Sequence, residues 1–273
     1  MTDVRAVAVV VPARDEEDGV RACLLSVRAA LAQLPPTVTS VVTVVLDRCV
    51  DTTPHRVDAV IADWPGAVAP RVVAAGGRRA VCGAPHPGAA HLGAAHIVAG
   101  SGVGALRDLG VRDALRRLRP RPARSVWLLH TDADTTVPRD WALAHLGLAA
   151  AGAVGVARMA ELSGGLPPHA ARRHDRMVLA GTDGDRHGHV YGANLGVRGD
   201  AYLAVGGFPA DGPGEDHGLW RGLGAAGYPL RQPTRLRVLT SSRTAGRASG
   251  GLADLLHQLA RDPDDRVAEG LRS

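Results

Sequence analysis

Ser125-Val126-Trp127-Leu128-Leu129-His130-Thr131-Asp132-Ala133-Asp134 runs an apolar segment straight into two carboxylates. Ser125 to His130 lacks polar alternation, the pattern of a strand buried on both faces. The same event occurs twice earlier. Val4 to Val11 is nearly continuous Val and Ala, expected to end at Pro12, and the polar group Arg14-Asp15-Glu16-Glu17 follows. Val38 to Leu46 is a second such run, followed by Asp47 to Thr53. Helical segments are expected from Asp15 to about Leu34, from Pro54 to Ala62, and from Val103 to Leu118. In the first, Asp15 to Asp18 are read as first-turn acids facing the positive end of the helix dipole. A short strand, Arg71 to Ala75, lies between the latter two. Repeated strand-then-helix units predict an α/β chain with a mainly parallel sheet flanked by helices. Ligands on such sheets bind outside the carboxyl ends of the strands. The three polar clusters share that position and so point to one site.

Beyond Asp134 a helix is expected from about Pro138, then strands at Ala153 to Met159, Val190 to Arg198 and Leu236 to Thr240. Further helices are expected at Glu215 to Ala226 and Leu252 to Ala260. Gly83 to Gly102 and Glu161 to Gly188 read as loops. The second of these is expected to be mobile and to close over a site. Residues 262–273 read as a charged tail.

The chain has 273 residues, enough for one large α/β domain, and 45% of them are hydrophobic. It contains no lysine: all 32 basic residues are arginine, and Asn194 is the sole asparagine. A coding bias explains this most simply. It still excludes a Walker A phosphate loop and Schiff-base chemistry, both of which need the lysine amine. The net charge of +5 comes from arginines scattered among acids, and aromatics make up only 3%. Nucleic-acid binding is therefore not expected. Three cysteines without metal or disulfide spacing suggest a reducing compartment. No segment resembles a signal peptide or spans a bilayer, so a cytoplasmic protein is expected.

Asp132 and Asp134 are one residue apart, a spacing that lets two carboxylates share Mg²⁺ or Mn²⁺ with substrate phosphate oxygens. Alone, Asp-x-Asp is weak. It stands, however, in a series: Val9 to Glu17, Leu46 to Thr53, Tyr191-Gly192-Ala193-Asn194-Leu195-Gly196-Val197-Arg198, Gly206-Gly207-Phe208-Pro209, and Gly214-Glu215-Asp216-His217-Gly218-Leu219. In this order the segments resemble the family 2 glycosyltransferases across roughly residues 5 to 260. The resemblance implies one GT-A domain over 1–261, with a nucleotide-binding half (1–135) and an acceptor-binding half (136–261). It implies transfer of a sugar from a nucleoside-diphosphate sugar, most simply a UDP-sugar, to a small-molecule acceptor hydroxyl with a divalent metal. Pro12, Ala13, Arg14, Glu16 and Asp47 match the positions against base and ribose. Arg107 matches, more loosely, a basic residue directed at the diphosphate. Asp132 matches the ribose or metal contact and Asp134 the principal metal ligand. Asp216 matches the general base of inverting members. Gly192, Asn194, Glu215 and His217 fall where donor sugar or acceptor is held.

Plainer readings stand beside these. Arg14 and Glu16 can belong to a helix start, and Asp51 to the cap of the helix near Pro54. Arg243 and Arg247 can reach a diphosphate or sit in solvent. Arg172 and Arg173 suggest an anionic acceptor group. His86, His91 and His96 do not share a helical face, and His187 with His189 reads as structural rather than metal-binding. The rival of another class is a haloacid-dehalogenase-type phosphatase, with Asp132 as nucleophile and Asp134 as acid/base. That motif belongs after a first strand and works with a downstream lysine. A nucleotidyltransferase would want a Gly-rich basic loop after strand one. A non-catalytic nucleotide-sugar binder remains a further alternative.

Overall fold

The structure is a computed structural model describing residues 4–64, 70–75, 93–95, 102–210, 212–235, 237–246 and 250–261. The first half alternates strand and helix: β1 (Ala6–Ala13), α1 (Val20–Leu31), β2 (Thr39–Asp47), α2 (Thr53–Ala62), β3 (Arg71–Ala75), β4 (Gly93–Ala95), α3 (Val103–Arg117) and β5 (Val126–His130). The second half is more broken: β6 (Thr135–Thr136), α4 (Trp141–Ala150), β7 (Gly155–Ala157), β8 (Ala160–Leu162), α5 (Pro168–Ala180), β9 (Thr182–Asp183) and β10 (Arg186–His187). β11 (Leu195–Arg198), α6 (Gly199–Ala204), α7 (Glu215–Ala225), β12 (Leu230–Arg231), β13 (Val238–Thr240) and α8 (Leu252–Arg261) complete it.

Eight strands form the main sheet in the order β12-β7-β11-β5-β1-β2-β3-β4. β11 runs antiparallel to both of its neighbours, and every other pairing is parallel. β1 shows why apolar runs build this sheet. Val7, Val9 and Val11 enter one core, with Cys23, Leu24 and Val27 of α1 and Trp141 of α4. Ala6, Ala8 and Val10 enter the other, with Leu106 and Val111 of α3, Tyr202 of α6 and Leu219 of α7. Alternate side chains of a strand point to opposite faces, so both faces are covered and the run is continuously apolar. Each fully buried Val or Leu contributes roughly 1.5–3 kcal/mol.

Several expectations need correction. Pro12 does not end β1, which continues to Ala13. Its last pair with β5 is Val10 with His130, so Pro12 borders β2 alone, an edge where proline is tolerated. Asp15 to Asp18 precede α1 rather than open it, and its first turn has no acid. The segment from Glu161 to Gly188 is not an irregular loop: it holds β8, α5 and the β9–β10 hairpin. Pro167-Pro168 starts α5, with proline inside its first turn. Ala170 and His174, four residues apart, turn one face inward. His169 Nε2 lies 3.1 Å from the Ala260 carbonyl of α8. Glycines at Gly164, Gly165, Gly181 and Gly184 had disguised the helix. Within Gly83 to Gly102, also expected to be a loop, Gly93–Ala95 pair with β3 as a parallel strand. His86, His91, His96, Arg247 and the tail at 262–273 lie outside the described residues. Among the described residues, no helix is long and apolar enough to cross a membrane.

Candidate active site at the strand ends

Parallel pairing of β5, β1 and β2 brings their carboxyl ends to one edge. Pro12 and Ala13 end β1, Asp47 ends β2, and Asp132 lies two residues past β5. A second, small sheet, in the order β6-β13-β8, adjoins this edge through β6, which starts at Thr135 directly after Asp134.

The first loop is tied to the loop after β2 through its acids. Asp15 Oδ1 accepts from the Val50 N–H at 2.7 Å, and Glu17 Oε2 from the Thr52 N–H at 3.1 Å. In return Asp51 Oδ2 accepts from the Glu17 N–H, and Thr53 Oγ1 from the Glu16 N–H. Asp51 Oδ1 also accepts from the Thr53 N–H at the start of α2, in keeping with the capping alternative. Two of the acids expected in the first turn of α1, Asp15 and Glu17, therefore serve as acceptors for a neighbouring loop. Asp15 and Arg48 sit at positive φ, 52° and 46°, the bends that bring the loops together. Asp47 is spanned by the guanidinium of Arg48, at 2.9 and 2.8 Å. Among the described residues Asp15, Cys49 and Asp51 bring three ligand-type atoms within 4.8 Å of one another. Sequence spacing gave no hint of this group, because it joins two loops.

Gly19 lets α1 approach the Asp-Ala-Asp turn: a Cβ there would lie 2.9 Å from Asp134 Cα. Cys23 packs beneath, its thiol donating to the Asp132 carbonyl at 3.2 Å. Burial, and then Asp132, Asp134 and Glu16, push that thiol far up, so it stays neutral. The antiparallel pairing of Thr240 with Thr135 carries the segment after β13 back beside Asp134. There Arg243 meets Glu16 with two hydrogen bonds, 2.6 and 2.7 Å, and Asp134 Oδ2 at 3.2 Å. Burial works against the Arg243 charge, and Glu16 and Asp134 outweigh it. Burial, together with Asp132 and Glu16, raises the Asp134 carboxyl to about 6 against the pull of Arg243.

Arg107 of α3 is 2% exposed and joins the two sides of the cleft. Its Nη2 donates to Asp132 Oδ1 at 2.5 Å and its Nε to Glu215 Oε1 at 3.4 Å. Burial opposes its charge, but Asp132, Glu215 and Asp216 hold it above the usual range. Its buried Nη1 has no hydrogen-bond partner among the described residues. Burial, with Asp216 adjacent, raises Glu215 despite Arg107. Gly192 makes room for the guanidinium: a Cβ there would lie 2.5 Å from Arg107 Nη2. The Gly192 N–H donates to Asp216 Oδ2 at 2.8 Å, and the His217 N–H to Asp216 Oδ1 at 2.7 Å. Asp216 and Glu215 are partly exposed in the first turn of α7, beside an exposed His217.

No protein-family model matches the chain, and no curated protein matches it in sequence. Solved structures do match it. The mannosyltransferase PcManGT from Pyrobaculum calidifontis, in complex with GDP-Man and Mn2+, is similar with a TM-score of 0.59 at 17% identity, over 93% of this chain and 68% of that one. S. aureus TarS 1-349 in complex with UDP-GlcNAc is similar with a TM-score of 0.56 at 12% identity, over 95% of this chain and 68% of that one. The chain has the GT-A fold of glycosyltransferases.

In this GT-A fold the expected residues separate into two groups. Pro12, Ala13, Glu16, Asp47, Arg107, Asp132 and Asp134 gather at the strand ends, with Gly192, Glu215 and Asp216 across the cleft. Arg14 is partly exposed in the first loop. Asn194 stands apart, fully buried. Its Oδ1 accepts from Trp141 Nε1 at 2.9 Å and lies 3.2 Å from His145 Nε2; its Nδ2 donates to the Met159 carbonyl at 2.9 Å. These bonds brace the turn before β11 against α4. His187 and His189 stack at 6.0 Å, and His189 stacks on Tyr191 at 5.7 Å. The His189 N–H donates to His187 Nδ1, and His189 Nε2 lies 3.0 Å from the Val178 carbonyl, which fits the structural reading of the pair. Arg172 and Arg173 lie on α5. The phosphatase alternative needs its Asp-x-Asp after a first strand, whereas here the pair follows β5 of a GT-A sheet.

Proposed function

We propose that this chain is a metal-dependent glycosyltransferase that moves a sugar from a nucleoside-diphosphate sugar to an acceptor hydroxyl with inversion. The observation that carries this reading is the convergence of Asp132, Glu215 and Asp216 on Arg107, with Asp134 beside Asp132, at the carboxyl edge of a GT-A sheet. Residues 1–135 supply the nucleotide half: Pro12, Ala13, Arg14, Glu16 and Asp47 line the base and ribose. Residues 136–261 supply the acceptor half, with Gly192, Glu215 and His217 near the transferred sugar. The two solved relatives support a sugar-nucleotide donor, one being in complex with GDP-Man and Mn2+ and the other with UDP-GlcNAc.

The donor set suits a hard divalent cation, because it consists of carboxylate oxygens and already attracts a positive charge, that of Arg243. Held by Asp132 and Asp134, such a cation supplies charge to the departing diphosphate. Asp216 does the work on the acceptor. Its carboxylate takes the proton from the acceptor hydroxyl as that oxygen bonds to the anomeric carbon. The bond from that carbon to the diphosphate oxygen breaks with its electron pair leaving on the diphosphate. A single displacement of this kind inverts the anomeric centre. Arg107 holds Asp132 and Glu215 in register, so the donor and acceptor sides keep a fixed separation.

Calorimetry with UDP and GDP, each with and without Mn²⁺ or Mg²⁺, tests the reading. Metal-dependent binding of one nucleotide is expected, UDP in preference, and it should weaken sharply in Asp134→Ala. Equal, metal-independent or absent binding of both nucleotides refutes it.

A further inference from the structure

Arg243 is bound to both sides of the proposed cation site, through Glu16 on the first loop and Asp134 in the Asp-Ala-Asp turn. We infer that Arg243 is the resident counter-charge of this site: its guanidinium satisfies Asp134 and Glu16 until a nucleoside diphosphate draws it away, so that divalent cation and diphosphate bind cooperatively. This rests on the function proposed above and adds to it a thermodynamic coupling and the residue that sets it.

The geometry carries the inference in three steps. First, Asp134 Oδ2 is 3.2 Å from Arg243 Nη1. A cation shared by Asp132 and Asp134 draws on the same carboxylate charge. A guanidinium has five N–H donors and no acceptor, so it can compete with the cation but cannot help ligate it. Second, the Asp134 side chain is 15% exposed, and the Arg243 side chain 29%. Two positive charges in so enclosed a space repel each other with little water between them. Entry of the cation alone therefore costs the Arg243–Asp134 contact and sets the guanidinium against a like charge. Third, Arg243 stands on the segment after β13, outside the main sheet, anchored through Thr240 Oγ1 and Thr135 Oγ1 at 2.9 Å. The backbone is pinned three residues away, while the long side chain is 29% exposed and reaches its partners over several rotatable bonds. A diphosphate arriving with the cation offers Arg243 a new anionic partner of matching fork geometry. The cost of releasing Asp134 is then recovered, and each ligand raises the affinity for the other by the same factor, as linkage requires.

Arg107 already balances Asp132, Glu215 and Asp216. Arg243 lies between Glu16 and Asp134 and offsets the repulsion of these two carboxylates. Arg243 thus stabilises the acidic site and at the same time keeps adventitious divalent ions out of it.

The test is Mn²⁺ binding followed by electron paramagnetic resonance, on wild-type protein, Arg243→Gln and Arg243→Ala, with Mn²⁺ alone and with saturating UDP or GDP. Circular dichroism establishes that each variant is folded, and the glutamine keeps most of the side-chain volume. In the wild type Mn²⁺ alone should bind weakly and nucleotide should tighten it. Both variants should bind Mn²⁺ alone at least about tenfold more tightly, the direction expected when a competing charge is removed. The gain from adding nucleotide should shrink by a similar factor. A purely structural role for Arg243 would lower metal affinity, not raise it. If wild-type Mn²⁺ binding is nucleotide-dependent but metal-alone affinity is unchanged or weaker in both variants, the counter-charge role is overturned and the function proposed above stands. If no chain binds Mn²⁺ with either nucleotide, the proposed function fails and this inference falls with it.

Discussion

The Gly192 N–H and the Asp216 Oδ2 meet at 2.8 Å, linking the turn before β11 to the first turn of α7. The other carboxylate oxygen accepts from the His217 N–H. Asp216 is thus aimed by backbone, which side-chain changes nearby leave in place. Asp216→Asn keeps the shape and removes the basic oxygen. It should lower kcat by about 10²–10⁴-fold, the usual worth of general-base catalysis. Nucleotide affinity by calorimetry should stay near wild type. Normal turnover, or a product that keeps the donor's anomeric configuration, would contradict the base role.

Gly192→Ala tests the clamp. The added methyl would sit 2.5 Å from Arg107 Nη2 and 3.1 Å from Cζ. That guanidinium is held on Asp132 and Glu215 and has little freedom to yield. A loss of about 1–3 kcal/mol in urea unfolding is expected, as for other overpacked sites, together with weaker nucleotide binding. Wild-type stability and binding would show that Arg107 moves aside at no cost.

Asn194 lies in the motif that suggested a sugar contact, yet its polar atoms meet Trp141, His145 and Met159. Asn194→Ala leaves the Trp141 indole N–H and the Met159 carbonyl buried without these partners. Each orphaned group costs about 1–3 kcal/mol, so denaturant unfolding should register a loss of at least about 2 kcal/mol. The KM for nucleotide sugar should hardly change in the protein that remains folded. A large KM effect with unchanged stability would return Asn194 to the ligand.

His130 ends β5 with both ring nitrogens buried and unpartnered, its ring edge-on to Phe208 at 4.8 Å. Burial, and then Arg107, hold its pKa well below the usual value. The folded chain therefore keeps His130 neutral while the unfolded chain takes up a proton below about pH 6.5. The unfolded state binds more protons in that window, so this stability is present above pH 6.5 and lost as pH falls. His130→Leu removes the linkage. Relative to wild type it should be no less stable at pH 7, and it should gain roughly 1.4 kcal/mol per pH unit below the unfolded pKa. Unfolding curves at pH 7 and pH 5 measure the difference, from which carboxyl titrations common to both chains cancel. A pH-independent difference would mean that His130 protonates in the fold.

The sheet was legible because its strands are buried on both faces: the Val runs of β1 and β2 and Val126 to His130 have no other use for so many apolar residues. The strand-end position of Pro12, Asp47 and Asp132 followed from that. What escaped the sequence is what depends on long-range register. The pairing of Glu16 with Arg243 spans 227 residues, and no local pattern announces it. Asp15 to Asp18 looked like helix-start acids because a helix does follow. The oxygens of Asp15 and Glu17 instead accept from N–H groups of a loop 35 residues away, next to a positive φ at Asp15. α5 was hidden by flanking glycines and a polar composition. Only the prolines at its start and the Ala170–His174 spacing pointed to it.

The pairing of Thr135 with Thr240 joins residues 105 apart in the chain. During synthesis on the ribosome, β1 to β5 emerge long before β13, so the main strands can pair while the turn after Asp134 still lacks its neighbour. A nascent chain that has not yet reached Val238 lacks β13 and Arg243, and so lacks the Thr240 partner of Thr135 and the Arg243 partner of Asp134. The contacts that complete the surroundings of the Asp-Ala-Asp turn are therefore the last to be synthesised, and a cut after Thr135 would part Thr135 and Asp134 from Thr240 and Arg243.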